Sequence, residues 1–209
     1  MSVETEIKVR VDDAGSFLER LGKLEPRSLT TRHFEDNFVL DYPDRRLASG
    51  QCLLRVRIVK GSALLTLKGP PLPSGLFKIR EELEIVAGEG MALLAILKRL
   101  GLRVCFRYQK YRREFKIFFG SGPRSAIHVT LDETPIGTFA EFEGPEAGIR
   151  KIARSMGFRQ SLYLRDSYAS LFIQYCRERK QAVRHMTFRS VRRAKAENSA
   201  SASKRKDRS

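Results

Sequence analysis

The chain has 209 residues, of which 42% are hydrophobic, and a formal net charge of +16 at pH 7. This length and composition predict one globular domain and exclude a chain that is disordered throughout. The three cysteines are odd in number and far apart, which argues against a disulfide framework or a zinc site and favours a cytoplasmic location. An apolar run of about 18 residues and a leader-like N-terminus are both lacking, so we expect neither a membrane span nor a signal peptide.

The first predicted strand, residues 3–10, alternates charged and uncharged side chains. Glu4, Glu6 and Lys8 take every second position, and Ile7 and Val9 are among the residues between them. The side chains of a strand alternate between its two faces. The charged groups of this strand therefore share one face, and the apolar groups share the other.

The remaining elements follow in chain order. Asp12 or Asp13 can cap a short helix whose apolar residues extend to Leu24. Later patterns predict strands at 32–40, 53–59, 62–68 and 76–86, a helix from Glu89 to Leu100, strands at 103–119, 126–132 and 137–143, and helices at 146–156 and about 163–183.

The alternation of charge recurs along these later strands, at Arg55 and Arg57, at Lys78, Arg80, Glu82 and Glu84, and at Glu141 and Glu143. For a single strand, a solvated face with weak cross-strand ion pairs is the better interpretation. The whole set favours another one, because clustered carboxylates need cations and clustered Arg and Lys side chains need anions. A phosphate chain with bound metal ions would satisfy both requirements.

About eight strands in hairpin pairs, with helices between them, predict an α+β fold in which a mainly antiparallel sheet closes into a barrel with helices packed outside. Closure turns one strand face into a lumen. We expect the charged face to line this lumen and the apolar face to point outward, where the helices cover it.

The charged strands carry the motifs of a known family. They include Glu-x-Glu-x-Lys at Glu4–Lys8, and ordered matches continue over about 170 residues at 54–57, 65–70, 80–84, 110–112, 131–133, 137–139, 141–143 and 167–168. Together these segments resemble the CYTH superfamily of triphosphate tunnel metalloenzymes, named for class IV adenylate cyclase and thiamine triphosphatase. The resemblance implies an eight-stranded tunnel that holds a triphosphate with Mg²⁺ or Mn²⁺.

The resemblance also implies roles for individual residues. The metal ligands would be Glu4, Glu6, Asp132, Glu141 and Glu143. The side chains that bind the phosphates would be Lys8, Arg55, Arg57, Lys68, Arg80, Lys110 and Arg112. The catalytic set would be Glu4, Glu6, Lys8, Arg55 and Arg57.

Three functions remain open, and hydrolysis of a triphosphate, either inorganic tripolyphosphate or an organic triphosphate, ranks first. The alternative is class IV adenylate cyclase, which converts ATP to cyclic AMP and pyrophosphate with nearly the same phosphate-binding groups. The third is a non-catalytic binder of polyphosphate or RNA ends. The full set of metal carboxylates argues against this third function, because a binder could use cations alone. Phosphoryl transfer needs alignment and charge neutralisation, and a metal can lower the pKa of water, so no histidine base is required.

Several residues stay ambiguous in the sequence. Glu82 and Glu84 can bind metal or hold arginines by ion pairs, and the second role is favoured for Glu84. Strand register decides whether Lys110 and Arg112, or instead Gln109 and Arg113, point inward. The aromatic residues Tyr108, Tyr111 and Phe115 can stack on a base, although packing is the better interpretation, and His33, His128 and His185 are taken as structural or surface residues.

Residues 1–183 are predicted to form the tunnel domain, followed by a basic, disordered tail at 184–209. The tail has nine Lys or Arg against two acidic residues and little apolar content. A terminus that only increases solubility is the simpler interpretation. The alternative is a functional one, in which the tail contacts a polyanion weakly. The oligomeric state does not follow from the sequence.

Overall fold

The structure, a computed structural model, describes residues 2–119 and 126–196. Eight antiparallel strands close into a barrel in the order β1-β5-β4-β3-β2-β6-β7-β8, which confirms the predicted fold class. The strands are β1 (Ser2–Val11), β2 (Arg27–Asp41), β3 (Leu53–Val59), β4 (Ser62–Lys68), β5 (Lys78–Ala87), β6 (Arg103–Phe118), β7 (Ala126–Thr134) and β8 (Gly137–Glu143).

Helices pack outside the barrel. They are α1 (Ala14–Gly22), α2 (Arg46–Ser49), α3 (Gly90–Arg99), α4 (Glu146–Ser155), α5 (Tyr168–Glu178) and α6 (188–196), with a 3₁₀ turn at Gln160–Leu162. Helix α1 begins after Asp13, whose carboxylate accepts a hydrogen bond of 2.7 Å from the backbone N–H of Ser16. Helix α5 begins later than the predicted residue 163 because Ser167 caps its N-terminus, and it ends at Glu178 rather than at residue 183. Helix α2 was not predicted, since four residues are too few for a periodic pattern.

Strand pairing explains why the charged face points inward. In β1, Glu6 pairs with Lys78 of β5 and Glu143 of β8, so charged positions of adjacent strands lie side by side. The intervening Ile7 and Val9 are buried in a cluster that includes residues of α1 and α4. The hydrophobic core therefore lies between the barrel wall and the helices, and the lumen is polar.

The helices do not cover the whole barrel. On the outer face of β4 and β5, Leu67, Leu83 and Ile85 are 37%, 48% and 64% exposed. The expectation that helices cover the apolar outer face therefore holds only in part. Among the helices in 2–119 and 126–196, none is long and apolar enough to cross a membrane.

The segment after α5 returns to the barrel. Met186 is fully buried, and its carbonyl accepts a 3.0 Å hydrogen bond from the N–H of Gln109 on β6. Thr187 caps α6 by accepting a 3.1 Å hydrogen bond from the N–H of Ser190. Val191 is buried in the same apolar cluster as Met186, together with residues of α5. The predicted disorder is therefore wrong for residues 184–196, where Met186 and Val191 are buried against the rest of the protein. The other predicted tail residues, 197–209, lie outside the described residues.

This packing generates a stability prediction. Met186→Ala removes a fully buried side chain and should lower the free energy of unfolding by about 2–5 kcal/mol, measured by urea denaturation. Arg189→Ala, on the exposed side of α6, is the matched control and should change it by less than about 0.5 kcal/mol. Equal stability of the two variants would contradict the docking of this segment.

Candidate functional site

The barrel encloses a cavity of about 1160 Å³, lined by side chains from all eight strands and from α5. Its wall contains most of the charged residues that alternate along the strands. The predicted phosphate-binding residues that line it are Lys8, Arg55, Arg57, Lys68, Arg80, Lys110 and Arg112. Lys78 also lines it, as the charge alternation predicted, although no phosphate-binding role was assigned to it. The structure therefore brings the whole predicted cationic set into one lumen.

One group of cations surrounds Glu35 on β2, a residue that the sequence interpretation missed. Its carboxylate is 1% exposed and lies 3.4 Å from Arg57 Nε, 3.4 Å from Lys110 Nζ and 3.9 Å from Arg112 Nε. Burial alone would raise the pKa of Glu35, but Lys110, Arg112 and Arg57 together hold this pKa well below its usual range. Glu35 thus stays ionised and fixes three cations in place. The alternation of His33, Glu35 and Asn37 could have revealed it.

Asp132 on β7 is also buried among cations. Its oxygens accept hydrogen bonds from Lys110 Nζ at 2.8 Å, from Arg112 Nε at 2.6 Å and from the Tyr168 hydroxyl at 2.7 Å. No oxygen of Asp132 is exposed to the lumen, since the residue is 0% exposed. Of the other predicted metal carboxylates, Glu141 lies beside Asp132, because Arg112 Nη2 donates a 2.6 Å hydrogen bond to each. The oxygens of Asp132 bind cations and Tyr168 and do not face the lumen.

Glu141 on β8 bridges Lys8 and Arg112. It lies 3.3 Å from Lys8 Nζ and 2.6 Å from Arg112 Nη2. Burial opposes its ionisation, yet Lys8 and Arg112 hold the pKa of Glu141 well below its usual range. Lys8 is fixed as well by a 2.9 Å hydrogen bond to the carbonyl of Asp166. Glu6 lies beside this group and accepts a 2.6 Å hydrogen bond from Lys78.

Arg55 on β3 is oriented by polar neighbours of adjacent strands. It donates hydrogen bonds to Thr66 at 3.1 Å and to the Tyr108 hydroxyl at 3.4 Å. Thr66 in turn donates to Glu84 at 2.7 Å, and Glu84 lies 3.8 Å from Arg55. This contact fits the ion-pair role that was favoured for Glu84.

Three carboxyl groups face one another at another part of the wall. The Glu4 carboxyl is within hydrogen-bonding contact of both Glu82 and Glu143, and Lys68 pairs with Glu4 and Glu82. Burial and the neighbouring Glu4 raise the pKa of Glu82 to about 8, and burial likewise raises the pKa of Glu143. Like charges this close disfavour ionisation unless a cation lies between them. Carboxylate oxygens in such a cluster match the donors that Mg²⁺ and Mn²⁺ prefer.

His128 lines the cavity, and His33 lies 3.5 Å from the buried Glu35 on the same strand. His128 lies 3.1 Å from Glu114 and 3.8 Å from Glu143, and these two carboxylates raise the pKa of His128 to about 9. His33 groups with Glu35 and Glu114, so that one ligand atom from each lies within 4.8 Å of the others. This second cluster could also hold a metal ion, although the cations around Glu35 oppose it.

The register of β6 settles the inward pair. Lys110 and Arg112 line the lumen, whereas Gln109 donates to Asp36 at 3.4 Å and accepts from the N–H of Phe188 at 3.2 Å on the outside. Tyr111 packs outside against Phe34 with ring centroids 5.4 Å apart. Phe115 lies against the outer core, and only Tyr108 of the three aromatic candidates reaches the cavity.

Comparison with known proteins agrees with this tunnel. The model of the CYTH domain family matches residues 2–167. A putative adenylate cyclase of Methanocaldococcus jannaschii is 26% identical over 180 residues, which are 81% of this chain and 98% of that protein.

Solved structures show the same fold. A putative adenylate cyclase from Vibrio parahaemolyticus superposes with a TM-score of 0.69 at 21% identity, covering 82% of this chain and 98% of that one. A putative adenylyl cyclase from Hippeastrum, described as having a dominant triphosphatase activity, superposes with a TM-score of 0.59 at 17% identity, covering 82% and 96%. With a closed eight-stranded tunnel, its charged lumen and a family match over most of its length, this chain belongs to the CYTH domain family.

Proposed function

We propose that the protein is a divalent-metal-dependent phosphohydrolase that acts on triphosphates bound in its lumen. The observation that carries this proposal is the contact of three carboxyl groups that line the lumen, Glu4, Glu82 and Glu143, beside a continuous set of cations in one closed barrel. The carboxylates suit a divalent ion, and the cations suit a chain of phosphate groups. Phosphoryl transfer needs both, because it depends on alignment and on neutralising negative charge.

In this proposal Glu4, Glu82 and Glu143 hold Mg²⁺ or Mn²⁺, with Glu6 adjacent on the same strand face. The bound ion would supply a Lewis acid that neutralises phosphate oxygens. Glu82 replaces Asp132 in the set drawn from the family resemblance, because both oxygens of Asp132 already accept hydrogen bonds from cations or from Tyr168. Glu141, which the family resemblance names as a metal ligand, also holds Lys8 and Arg112 in place through ion pairs.

The cations would bind and orient the phosphates. Arg55, Arg57 and Arg112 offer planar donors that match phosphate oxygens in pairs, whereas lysines such as Lys8 and Lys110 act as point charges. Glu35 and Asp132 hold several of these side chains in position before substrate arrives. The protein therefore does not have to reorganise its charges when a triphosphate binds, which favours catalysis.

The second candidate is an adenylate cyclase, which the name of the Methanocaldococcus jannaschii relative suggests. A protein of the same fold that bears a cyclase name is described as mainly a triphosphatase, so such a name does not decide between the two. A non-catalytic binding protein ranks third, because carboxyl groups in the lumen would repel a phosphate ligand unless a metal ion were bound to them.

A product assay tests the assignment. Incubation of the protein with tripolyphosphate or ATP and Mg²⁺ or Mn²⁺ should release orthophosphate, detected by a colorimetric assay. Cyclic AMP with pyrophosphate would instead identify a cyclase, and tight binding without turnover would identify a binder. Glu4→Gln should lower kcat/KM by about 100-fold or more through loss of a metal ligand. Glu81→Gln, on the exposed outer face of β5, is the control and should keep full activity.

The raised pKa of Glu82 predicts how metal-free stability varies with pH. A carboxyl whose pKa rises from 4.5 to about 8 on folding stabilises the folded state while protonated, so this contribution is complete below 4.5 and is lost as the pH rises through 8. With EDTA present, the free energy of unfolding should therefore fall from about pH 5 to pH 8.5, and fall less in Glu82→Gln. Glu81→Gln should behave like the unmodified protein.

Added Mg²⁺ should stabilise the protein more at the higher pH, where the carboxyl cluster is ionised, because a ligand that binds only the folded state adds to its stability. Thermal unfolding with Mg²⁺ and with EDTA at both pH values measures this difference. An equal effect of Mg²⁺ at both pH values, or an equal effect on the Glu82→Gln variant, would contradict the assignment of the metal to this cluster.

The proposed positioning role of Asp132 predicts a large stability effect. Asp132→Asn leaves Lys110 and Arg112 buried with too little negative charge, and it should lower the free energy of unfolding by about 3–5 kcal/mol. The neighbouring Glu133 pairs at the surface with Arg32, the two side chains being 31% and 41% exposed. Glu133→Gln is therefore a matched control, with an expected loss below about 1 kcal/mol. Urea denaturation of both variants provides the measurement.

A further inference from the structure

Another concave region lies outside the barrel, at the C-terminal end of α4. It is a groove of about 640 Å³, which we call the arginine groove, and its polar lining residues are Arg150, Arg154, Arg159, Gln160 and Tyr163. Helix α4 packs on β1, β7 and β8, and Ile7, Val9 and Ile149 belong to the core cluster between the helix and the strands. The barrel wall and this core therefore separate the arginine groove from the lumen.

A fourth arginine, Arg20 of α1, reaches the edge of the arginine groove. Phe158 lines the groove, and Arg20 Cζ lies 5.5 Å from the centroid of its ring. Gly157, which also lines the groove, has a φ of +80°, and a Cβ at this position would lie 3.3 Å from Arg20 Nη1. The glycine therefore leaves space for the guanidinium group of Arg20.

The cations of the arginine groove have little compensation from the protein. Within residues 2–119 and 126–196, no Asp or Glu lines the groove, and neither Arg154 nor Arg159 has a carboxylate oxygen within 4.0 Å. Arg150 lies 3.6 Å from Glu146, but these side chains are 41% and 50% exposed, and such a pair contributes little. Like charges that converge repel one another, so an anion bound between them would be favourable.

The arginines are not required to cap α4. Basic side chains near the end of a helix often bind its last carbonyl groups. Here the N–H of Gly157 donates to the carbonyl of Arg154 at 2.9 Å, and the N–H of Phe158 donates to the carbonyl of Ala153 at 2.9 Å. These carbonyl groups therefore have backbone partners, which leaves the guanidinium groups available to a ligand.

The donors of the arginine groove match a chain of phosphate groups. A guanidinium group offers paired, coplanar donors to phosphate oxygens. Arg150 and Arg154 are four residues apart, about 6 Å along the helix axis, so they can contact different phosphates. Burial raises the pKa of Tyr163, so its hydroxyl stays protonated and can donate as well. The lining rings of Phe158 and Tyr163 are buried and half-buried, so the groove offers no open ring on which a nucleobase could stack.

We propose that the arginine groove is a second phosphate site, outside the tunnel, that binds a free oligophosphate chain. It recognises the phosphate groups alone, through Arg150, Arg154 and Arg159, and it contains no carboxylate for a metal ion. The site is therefore independent of the phosphohydrolase assignment, which concerns the lumen.

Calorimetry counts the sites. The probe is diimidotriphosphate, a non-hydrolysable analogue of tripolyphosphate, titrated into the full-length protein with Mg²⁺. The unmodified protein should bind two analogues per chain, one in the lumen and one in the arginine groove. The double variant Arg154→Gln/Arg159→Gln should bind one, because each charged hydrogen-bonding contact contributes about ten-fold or more to the Kd. The Kd of the remaining site should be unchanged.

The double variant Lys98→Gln/Arg99→Gln is the matched control. It removes the same two charges from the exposed last turn of α3, which packs on β3 and β4 on the opposite side of the barrel. This control should keep both sites. Thermal unfolding should give the same midpoint for both double variants as for the unmodified protein, because all four substituted side chains are exposed.

Three results would overturn the inference. The first is a variant Arg154→Gln/Arg159→Gln that binds as many analogues as the unmodified protein. The second is an equal loss in the control, which would reduce the effect to net charge. The third is displacement of the analogue from the arginine groove by a single-stranded RNA of roughly ten nucleotides at equal phosphate concentration, which would assign the groove to nucleic acid. Failure of the lumen site alone looks different, because the unmodified protein would then bind one analogue and Arg154→Gln/Arg159→Gln none.

Discussion

Charge compensation inside a closed barrel is the constraint on which the rest of this structure depends. Once the sheet closes, side chains on its inner face have limited access to bulk water, so each buried charge needs a partner of opposite sign. Glu35 and Asp132 meet that need for Arg57, Lys110 and Arg112. Where carboxyl groups outnumber the cations, as where Glu4 and Glu82 share Lys68, burial and the neighbouring carboxyl raise the pKa of Glu82 instead.

This constraint divides the lumen into regions with different chemistry. Carboxylates that hold cations, such as Glu35 and Asp132, act as internal supports and keep the donors oriented. Carboxyl groups that contact one another, such as Glu4 and Glu82, share a single lysine, Lys68, and therefore suit a divalent cation.

The strand pattern predicted most of the fold, since alternation assigns an inner and an outer face to every strand without knowledge of its neighbours. It also assigned Lys8 and Arg55 to the face that lines the lumen, whereas only the register of β6 decided that Lys110 and Arg112 point inward. The pattern failed where buried contacts, rather than composition, determine whether a segment is ordered. The composition of residues 184–196 predicts a basic tail, but Met186 and Val191 pack in an apolar cluster with residues of α5. It also missed Glu35, because this residue does not belong to a pair of like charges two residues apart, as the charged residues of the other strands do.

The sequence by itself determined that the protein would have an amphipathic sheet with a charged inner face, because side-chain direction in a strand is a local property. Only the tertiary structure decided which opposite charges meet, because that depends on register between strands far apart in the chain. Asp132 and Glu82 show the difference. Both are acidic residues on inward positions, yet one is enclosed by Lys110, Arg112 and Tyr168 and the other contacts a second carboxyl group.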